Sequence, residues 1–124
     1  MREYKGYRDL IVFQKSYKAA LEIYEITKSF PSEERYSLID QIRRSSRSIP
    51  ANLAEGWRKR NYPKMFVSKL IDCSGETSET VVWLDFSKDL KYLSEEKYLY
   101  FLEIYEEISK MLTSMIKAPE KFSS

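Results

Sequence analysis

The sequence SIPANLAEG, residues 48–56, lies inside a long helical pattern that continues on both sides of it. At about 100° per residue, apolar side chains share one face on both sides of this segment, and polar side chains share the opposite face. The apolar face contains Leu38, Ile39, Ile42, Ser46, Ile49, Leu53 and Trp57, and the polar face contains Gln41, Ser45, Ser48, Asn52, Glu55 and Lys59. Both faces stay in phase across Pro50, although a proline ordinarily kinks or breaks a helix. We predict one helix over residues 33–59 that bends at Pro50; the alternative is a helix that stops before it.

Three other segments repeat apolar residues with the three- and four-residue spacing of amphipathic helices. They predict helices over 9–30, 62–91 and 95–117. Asp9 and Ser94 are candidate N-caps, and Pro31 and Pro119 end the neighbouring patterns. Because the connections are short, consecutive helices should lie antiparallel. The expected fold is all-α: one antiparallel up-down-up-down four-helix bundle domain over 1–124, with a mobile tail at 118–124.

The composition of the 124 residues favours the same fold class and excludes many functions. An apolar share of 43% is enough for a core, and 3 glycines with 4 prolines are too few for a many-stranded sandwich or barrel. The chain has no histidine, which excludes Ser-His-Asp and Cys-His nucleophile systems and every histidine-containing metal site. With one cysteine, no signal peptide and no apolar run of about 18 residues, we expect a cytoplasmic protein.

Basic residues are concentrated in 41–60, where six of them stand against a single acidic residue, Glu55. These six form what we call the basic ridge: Arg43, Arg44, Arg47, Arg58, Lys59 and Arg60. On a helix, Arg43, Arg47 and Arg58 project within about 60° of one another. Phosphates of RNA or DNA could bind such a ridge. The alternatives are a solvated face and ion pairs between helices or subunits.

Other polar residues indicate chemistry less strongly. Glu55, Glu76 and Glu79 could hold a hard cation, but solvated or hydrogen-bonded helix carboxylates explain them better. Cys73 has no partner base and is expected, like both tryptophans, in the core. We predict no catalytic residue, no metal site and no cofactor. Glu55 is expected to pair with an arginine of the same or a neighbouring subunit.

The first and third helices each have an unusual surface. The first has two apolar stripes, one containing Tyr17 and Tyr24 and the other containing Val12 and Ile23. This width exceeds what a lone bundle requires and indicates contact between subunits. The third has a small, polar centre around Gly75, and a glycine inside a helix costs about 1 kcal/mol relative to alanine. We therefore expect a packing partner at Gly75.

Several motifs together resemble a known family. They are LIVFQK at Leu10–Lys15, FPSEERY at Phe30–Tyr36, QIRR at Gln41–Arg44, SIPANLAEG at Ser48–Gly56 and GETSETVVWLD at Gly75–Asp85. Over nearly its whole length the chain resembles the four-helix bundle proteins encoded in intervening sequences of bacterial 23S ribosomal RNA genes. Within this resemblance Pro50, Asn52, Glu55 and Gly56 form the structural motif. Glu76 departs from the pattern, which has a small Ser or Ala there.

The resemblance implies a ring-like homopentamer without known enzymatic activity. A related group of bundle proteins serves reverse transcriptases as accessory factors, and these resemble basic pentamers that bind nucleic acid. We therefore predict a non-enzymatic homo-oligomer that binds RNA or DNA through the basic ridge and does not contact membranes. The alternative is an adaptor that docks a larger enzyme such as a reverse transcriptase, with the basic residues in subunit contacts. An enzyme with an all-carboxylate metal site is a third hypothesis.

Overall fold

The computed structural model describes residues 3–123, which form four α-helices and three short 3-10 helices, with no strand in that range. The α-helices are α1 (Ile11–Thr27), α2 (Leu38–Trp57), α3 (Pro63–Asp89) and α4 (Glu95–Lys117), and the 3-10 helices are Tyr7–Asp9, Ser32–Glu34 and Pro119–Phe122. The predicted all-α, four-helix class is therefore confirmed. The first two residues and the last one, which belongs to the predicted mobile tail, lie outside the described range.

Helix α2 runs without interruption through Pro50, as its periodicity predicts. Ile49 and Leu53, on either side of the proline, are both fully buried. The predicted start of this helix at residue 33 is wrong, because α2 begins at Leu38. Glu34 ends a 3-10 turn, and its carboxylate accepts hydrogen bonds from the hydroxyl groups of Ser37 and Tyr92. These two bonds hold the connection in a turn, so the helix starts later.

The remaining helix ends agree with the sequence to different degrees. Helix α4 has the predicted bounds, and the Ser94 hydroxyl accepts a hydrogen bond from the Lys97 backbone at 3.1 Å, as an N-cap does. Asp9 is not an N-cap: its carboxylate accepts from the Lys5 backbone at 2.7 Å, and α1 starts at Ile11. Helix α1 also ends three residues before the predicted boundary, at Thr27.

The segment after α4 contacts the bundle, where the sequence predicted a mobile tail. The ring of Phe122 lies 5.4 Å from that of Tyr4 and 6.1 Å from that of Phe66, between centroids. Phe122 thus covers the end of the core at which Phe66 lies. The short sequence after Pro119 has no periodicity that would indicate this contact.

All four helices contribute to one hydrophobic core. Its buried members are Leu10, Val12, Ala19, Ile23, Ile42, Ile49, Leu53, Trp57, Phe66, Leu70, Cys73, Leu84, Leu93, Phe101, Tyr105, Ile108, Leu112 and Met115. A smaller cluster of Phe30, Leu38 and Ile39 packs with Trp83 and Tyr92 at the other end. Among residues 3–123, no helix is both long and apolar enough to cross a membrane.

Along α1 and α4, residues that come later in one helix contact residues that come earlier in the other. Lys15 on α1 forms a 2.8 Å salt bridge with Glu107 on α4, and the hydroxyl of Tyr100, one to two turns earlier on α4, donates to Glu22 at 2.8 Å. Helices α2 and α3 approach closely where the Thr80 hydroxyl lies 2.9 Å from that of Ser45. Such contacts are compatible with an up-down-up-down arrangement.

One buried polar atom has no partner within residues 3–123. The hydroxyl of Tyr105 lies in the core without a hydrogen bond, and burial raises the pKa of this phenol. By contrast, the hydroxyl of Tyr98 donates to the Asp85 carboxylate at 2.6 Å. An unsatisfied buried hydroxyl destabilises the fold, whereas a bonded one does not.

We therefore expect Tyr105→Phe to raise the free energy of unfolding by about 1 kcal/mol, because it removes the unsatisfied group and keeps the ring. The matched control, Tyr98→Phe, should lower it, because Asp85 loses its donor. Urea unfolding followed by circular dichroism measures both. A Tyr105→Phe protein less stable than wild type would contradict the assignment.

Candidate binding surface on helix α2

The basic ridge divides into two groups on α2. Arg43, Arg44 and Arg47 lie on its first half, while Arg58, Lys59 and Arg60 follow at its C-terminal end. Arg47 and Arg58 are eleven residues apart, which is about 16 Å along a helix. The segment between the groups contains Glu55, the only acidic residue there. The ridge is thus two separate basic groups.

Arg43 binds within the chain. Its Nε donates to the Thr27 hydroxyl at 2.8 Å, and its Nη2 donates to the Tyr24 carbonyl at 3.3 Å. The guanidinium also lies 4.5 Å from the centre of the Tyr24 ring, a cation–π contact. Because Thr27 is buried at the end of α1, Arg43 joins α1 to α2 and is not free to bind a ligand.

The other two residues of the first group are more exposed. Arg47 lies 5.6 Å from the centre of the Tyr24 ring. It has no carboxylate partner within residues 3–123. Arg44 is 3.9 Å from the Asp40 carboxylate, and its positive charge also acts on Glu76 of α3. Tyr24 therefore has two guanidinium groups near its ring, and Arg44 pairs with a carboxylate of its own helix.

The C-terminal group contains Arg58 and Lys59, the two ridge residues whose side chains have the fewest contacts within the described part of the chain. Arg58 is exposed, and its side chain makes no hydrogen bond, salt bridge or ring contact within residues 3–123. Lys59 has no salt bridge in that range, although its charge acts on Glu55. Arg60 donates from Nη1 to the Trp57 carbonyl at 3.1 Å and lies 4.4 Å from the Trp57 ring. Three cations thus stand together at the end of α2.

Lys69 of α3 explains the structural motif between the two groups. Its Nζ forms a 2.8 Å salt bridge with Glu55 and a 3.3 Å hydrogen bond with the Asn52 side-chain oxygen. A Cβ placed on Gly56 would lie only 3.0 Å from the Cβ of Lys69, so glycine lets the lysine stem pass close to α2. Glu55 is therefore paired, as predicted, but within this chain its partner is a lysine and not an arginine. Sequence reasoning missed Lys69 because a lone lysine resembles any solvated residue.

The pKa values of the pair follow from this contact. The hydrogen bond and positive charge of Lys69 lower the pKa of Glu55, while the hydrogen bond that Lys69 donates to Glu55 raises the pKa of Lys69. Glu55 is exposed at its other edge, with 61% of its side chain accessible. The pair therefore fixes the position of α2 against α3 at the surface, and Glu55 is not placed as a buried acid.

A groove of about 980 Å³ lies between α1 and α2, and we call it the α1–α2 groove. Its lining residues are Tyr7, Arg8, Phe13, Gln14, Tyr17, Ala20, Leu21, Tyr24, Arg47, Pro50, Ala51 and Ala54. The walls come from the first apolar stripe of α1, and the floor comes from small residues of the SIPANLAEG segment. Tyr17 and Leu21 remain 53% and 54% exposed. The chain itself therefore leaves the largest side chains of this stripe partly uncovered.

A second, shallower surface on α3 is acidic. Asp72, Glu76 and Glu79 line it together with Ile71 and Gly75. Burial and the charges of Glu79 and Asp72 raise the pKa of Glu76. Within residues 3–123 no cluster of three acidic or cysteine side chains has the geometry to hold a metal ion.

Trp57 and Cys73 have the core environments expected from the sequence, whereas Trp83 packs at the edge of the core. Trp57 is buried, and Trp83 is half-buried and donates to the Glu79 carboxylate at 3.3 Å. Cys73 is fully buried, and its Sγ lies 3.6 Å from the Ile49 carbonyl. Desolvation raises the pKa of Cys73 to about 12. A thiol of this kind is not a nucleophile at neutral pH.

Comparisons with known proteins agree with this architecture. A family model described as 23S rRNA-intervening sequence protein matches residues 8–114. Among solved structures, the chain is similar to a crystal structure from Bacteroides thetaiotaomicron, described as a protein of unknown function from the S23 ribosomal protein family. The two are 31% identical with a TM-score of 0.78, over 86% of this chain and 96% of that one. No curated protein matches the chain.

The first prediction from this surface concerns Arg43. We expect Arg43→Lys to lower the free energy of unfolding by about 1 to 2 kcal/mol, because lysine cannot donate to Thr27 and Tyr24 together. The control Arg47→Lys makes the same substitution, also without a change in charge, at a more exposed site and should have almost no effect. Equal effects of the two variants in urea unfolding would refute the structural role of Arg43.

The second prediction concerns pH. Because the folded-state pKa of Glu55 is lowered, its contribution to stability is present above about pH 4.5 and is lost as the pH falls through the lowered value. We expect wild type to exceed Glu55→Gln in stability near neutral pH, with the difference shrinking on acidification. The exposed Glu103→Gln variant controls for the loss of a negative charge. Urea midpoints across the acidic range measure this, and a constant difference would contradict it.

Proposed function

The chain belongs to the 23S rRNA-intervening sequence protein family, and we propose that it is a non-enzymatic protein that assembles with copies of itself and binds nucleic acid. Its four helices are proposed to form an antiparallel up-down-up-down bundle in the cytoplasm. The basic residues at the C-terminal end of α2 contact phosphates of RNA or DNA. Catalytic residues, metals and cofactors have no part in this function.

A single observation supports phosphate binding best. Of the six residues of the basic ridge, only Arg44 has a carboxylate within 4 Å among residues 3–123, and that distance is 3.9 Å. Arginine and lysine side chains near a protein surface are commonly paired, and unpaired clusters attract anions. Phosphate oxygens would supply the acceptors that this part of the chain does not supply.

The structure changes which ridge residues we assign to the ligand. Arg43 is engaged with α1, so its reversal would test stability and not binding. Arg58 and Lys59 are the residues with the least intramolecular engagement, and Arg60 lies beside them. We assign the phosphate contacts to these three. Base-specific recognition is not expected, because no helix places Asn, Gln and Arg side chains for reading a groove.

Self-assembly is proposed from the uncovered α1–α2 groove. Half-exposed aromatic and aliphatic side chains on this scale are typical of a protein interface. The expected number of subunits is five, in a ring. Repetition of a three-residue basic group around such a ring gives avidity for an extended strand, since the second and later contacts are intramolecular.

The same groove also supports a second candidate function, that of an adaptor protein. A partner protein with an apolar helix could bind there, and the chain would then serve a larger enzyme without contacting nucleic acid itself. The two candidates differ in what binds the basic group of α2.

The test of nucleic-acid binding is a salt series. We expect retention of structured RNA or duplex DNA at about 50 mM salt, with affinity falling on a log-log slope of about −0.7 to −0.9 for each phosphate contact. The double variant Arg58→Glu with Lys59→Glu should lose this binding, because two contacts become repulsions. Light scattering should give the same particle mass for the variant and wild type.

The matched control reverses two exposed lysines elsewhere, Lys18→Glu with Lys110→Glu. It changes the net charge equally, so binding that depends only on net charge would fall in both double variants. No retention of RNA or DNA by the wild-type protein at low salt would overturn the nucleic-acid function and leave the adaptor function.

A further inference from the structure

We infer that the α1–α2 groove receives the exposed face of α3 from a second copy of the chain. This inference rests on the proposed self-assembly and names the two surfaces that meet. They lie on different helices of the same chain, so each copy offers one groove and one complementary face. The occupant we commit to is therefore α3 of another copy.

The exposed face of α3 has the pattern of a helix that lies in a groove. Ile71, Val82 and Phe86 are apolar, are 55%, 45% and 50% exposed, and follow helical spacing on one side of α3. Gly75 lies between them. We call these four residues the α3 stripe. It extends for about 22 Å, which is fifteen residues of helix rise.

Gly75 is the residue that the isolated chain does not explain. A Cβ built on it would meet nothing within 4 Å, so no neighbouring part of the chain requires a glycine there. This contrasts with Gly56, where Lys69 lies at 3.0 Å. A helix-interior glycine on an exposed face loses helix propensity without any packing gain inside the chain. A close backbone approach from another molecule would supply the missing reason.

The groove has a floor that permits such an approach. Pro50, Ala51 and Ala54 have small or compact side chains, and Ala51 is exposed. The wall formed by α1 has larger side chains than the floor, because Tyr17 and Leu21 project from it. A helix whose centre is a glycine can lie between such walls with its backbone close to the alanines.

The charges beside the two surfaces are complementary. Arg8 and Arg47 line the groove, and neither forms a salt bridge within residues 3–123. Asp72, Glu76 and Glu79 lie beside Ile71 and Gly75 on α3. Docking would bring two guanidinium groups without salt bridges next to three carboxylates that repel one another. The opposite charges would then stabilise the contact.

The contact would be heterologous, meaning that different surfaces of the two copies meet. Such a contact leaves one groove and one stripe unused in every open chain of copies. Further copies add until the arrangement closes on itself as a ring. Groove-to-groove pairing would instead stop at a dimer.

A complementation experiment tests the inference. Ala51→Arg places a long charged side chain on the groove floor, and Gly75→Arg places one in the α3 stripe; both sites are exposed, so the fold should persist. Each variant alone should be a monomer in sedimentation equilibrium, with unchanged helicity. Their equimolar mixture should form a heterodimer, twice the monomer mass of 14.8 kDa, because one intact groove meets one intact stripe.

The control Ser114→Arg adds the same side chain to an exposed position on α4 and should keep the wild-type mass. If Gly75→Arg keeps the wild-type oligomer mass, or if the mixture stays monomeric over the whole concentration series, the inference is overturned while self-assembly stands. A monomeric wild type would instead overturn the proposed self-assembly, and the two failures are thus distinguishable.

Discussion

The packing of α2 between α1 and α3 is the constraint on which the rest of the structure depends. This helix buries Ile49 and Leu53 on one face, on either side of a proline that would ordinarily interrupt it. Because the helix continues, the SIPANLAEG segment presents Pro50 and the alanines to the α1 side and Asn52 and Glu55 to α3. The same nine residues therefore form the groove floor and the contact with Lys69.

Polar side chains in this molecule mostly join helices. Arg43 binds the end of α1, Lys69 binds two residues of α2, and Thr80 approaches Ser45 in the buried contact of α2 with α3. These bonds divide the polar residues into those used within the chain and those left at the surface. The latter are the C-terminal basic group of α2, the acidic residues of α3 and the arginines of the groove. Each of these suits a partner of opposite charge.

The sequence predicted those features that depend on local periodicity. The bounds of α4 follow from its N-cap and its apolar repeat, and the continuity of α2 follows from faces that keep their phase across Pro50. Features that depend on contacts between distant segments were not predictable. Lys69 has no local signal that points to Glu55, Phe122 follows the last repeat, and the start of α2 depends on a bond from Tyr92, more than fifty residues away. The basic ridge and the gap between its two groups were visible in the sequence, but the engagement of Arg43 with α1 depends on the positions of Tyr24 and Thr27.

The buried state of Cys73 makes this chain a convenient host for chemical labels. Its thiol is shielded from solvent and, with a pKa of about 12, is almost entirely protonated at neutral pH. Maleimides and other thiol reagents therefore have no native target in the folded protein. A fluorophore or spin label could be attached at a single introduced surface cysteine without first removing the natural one, and distances in the assembly could be read directly.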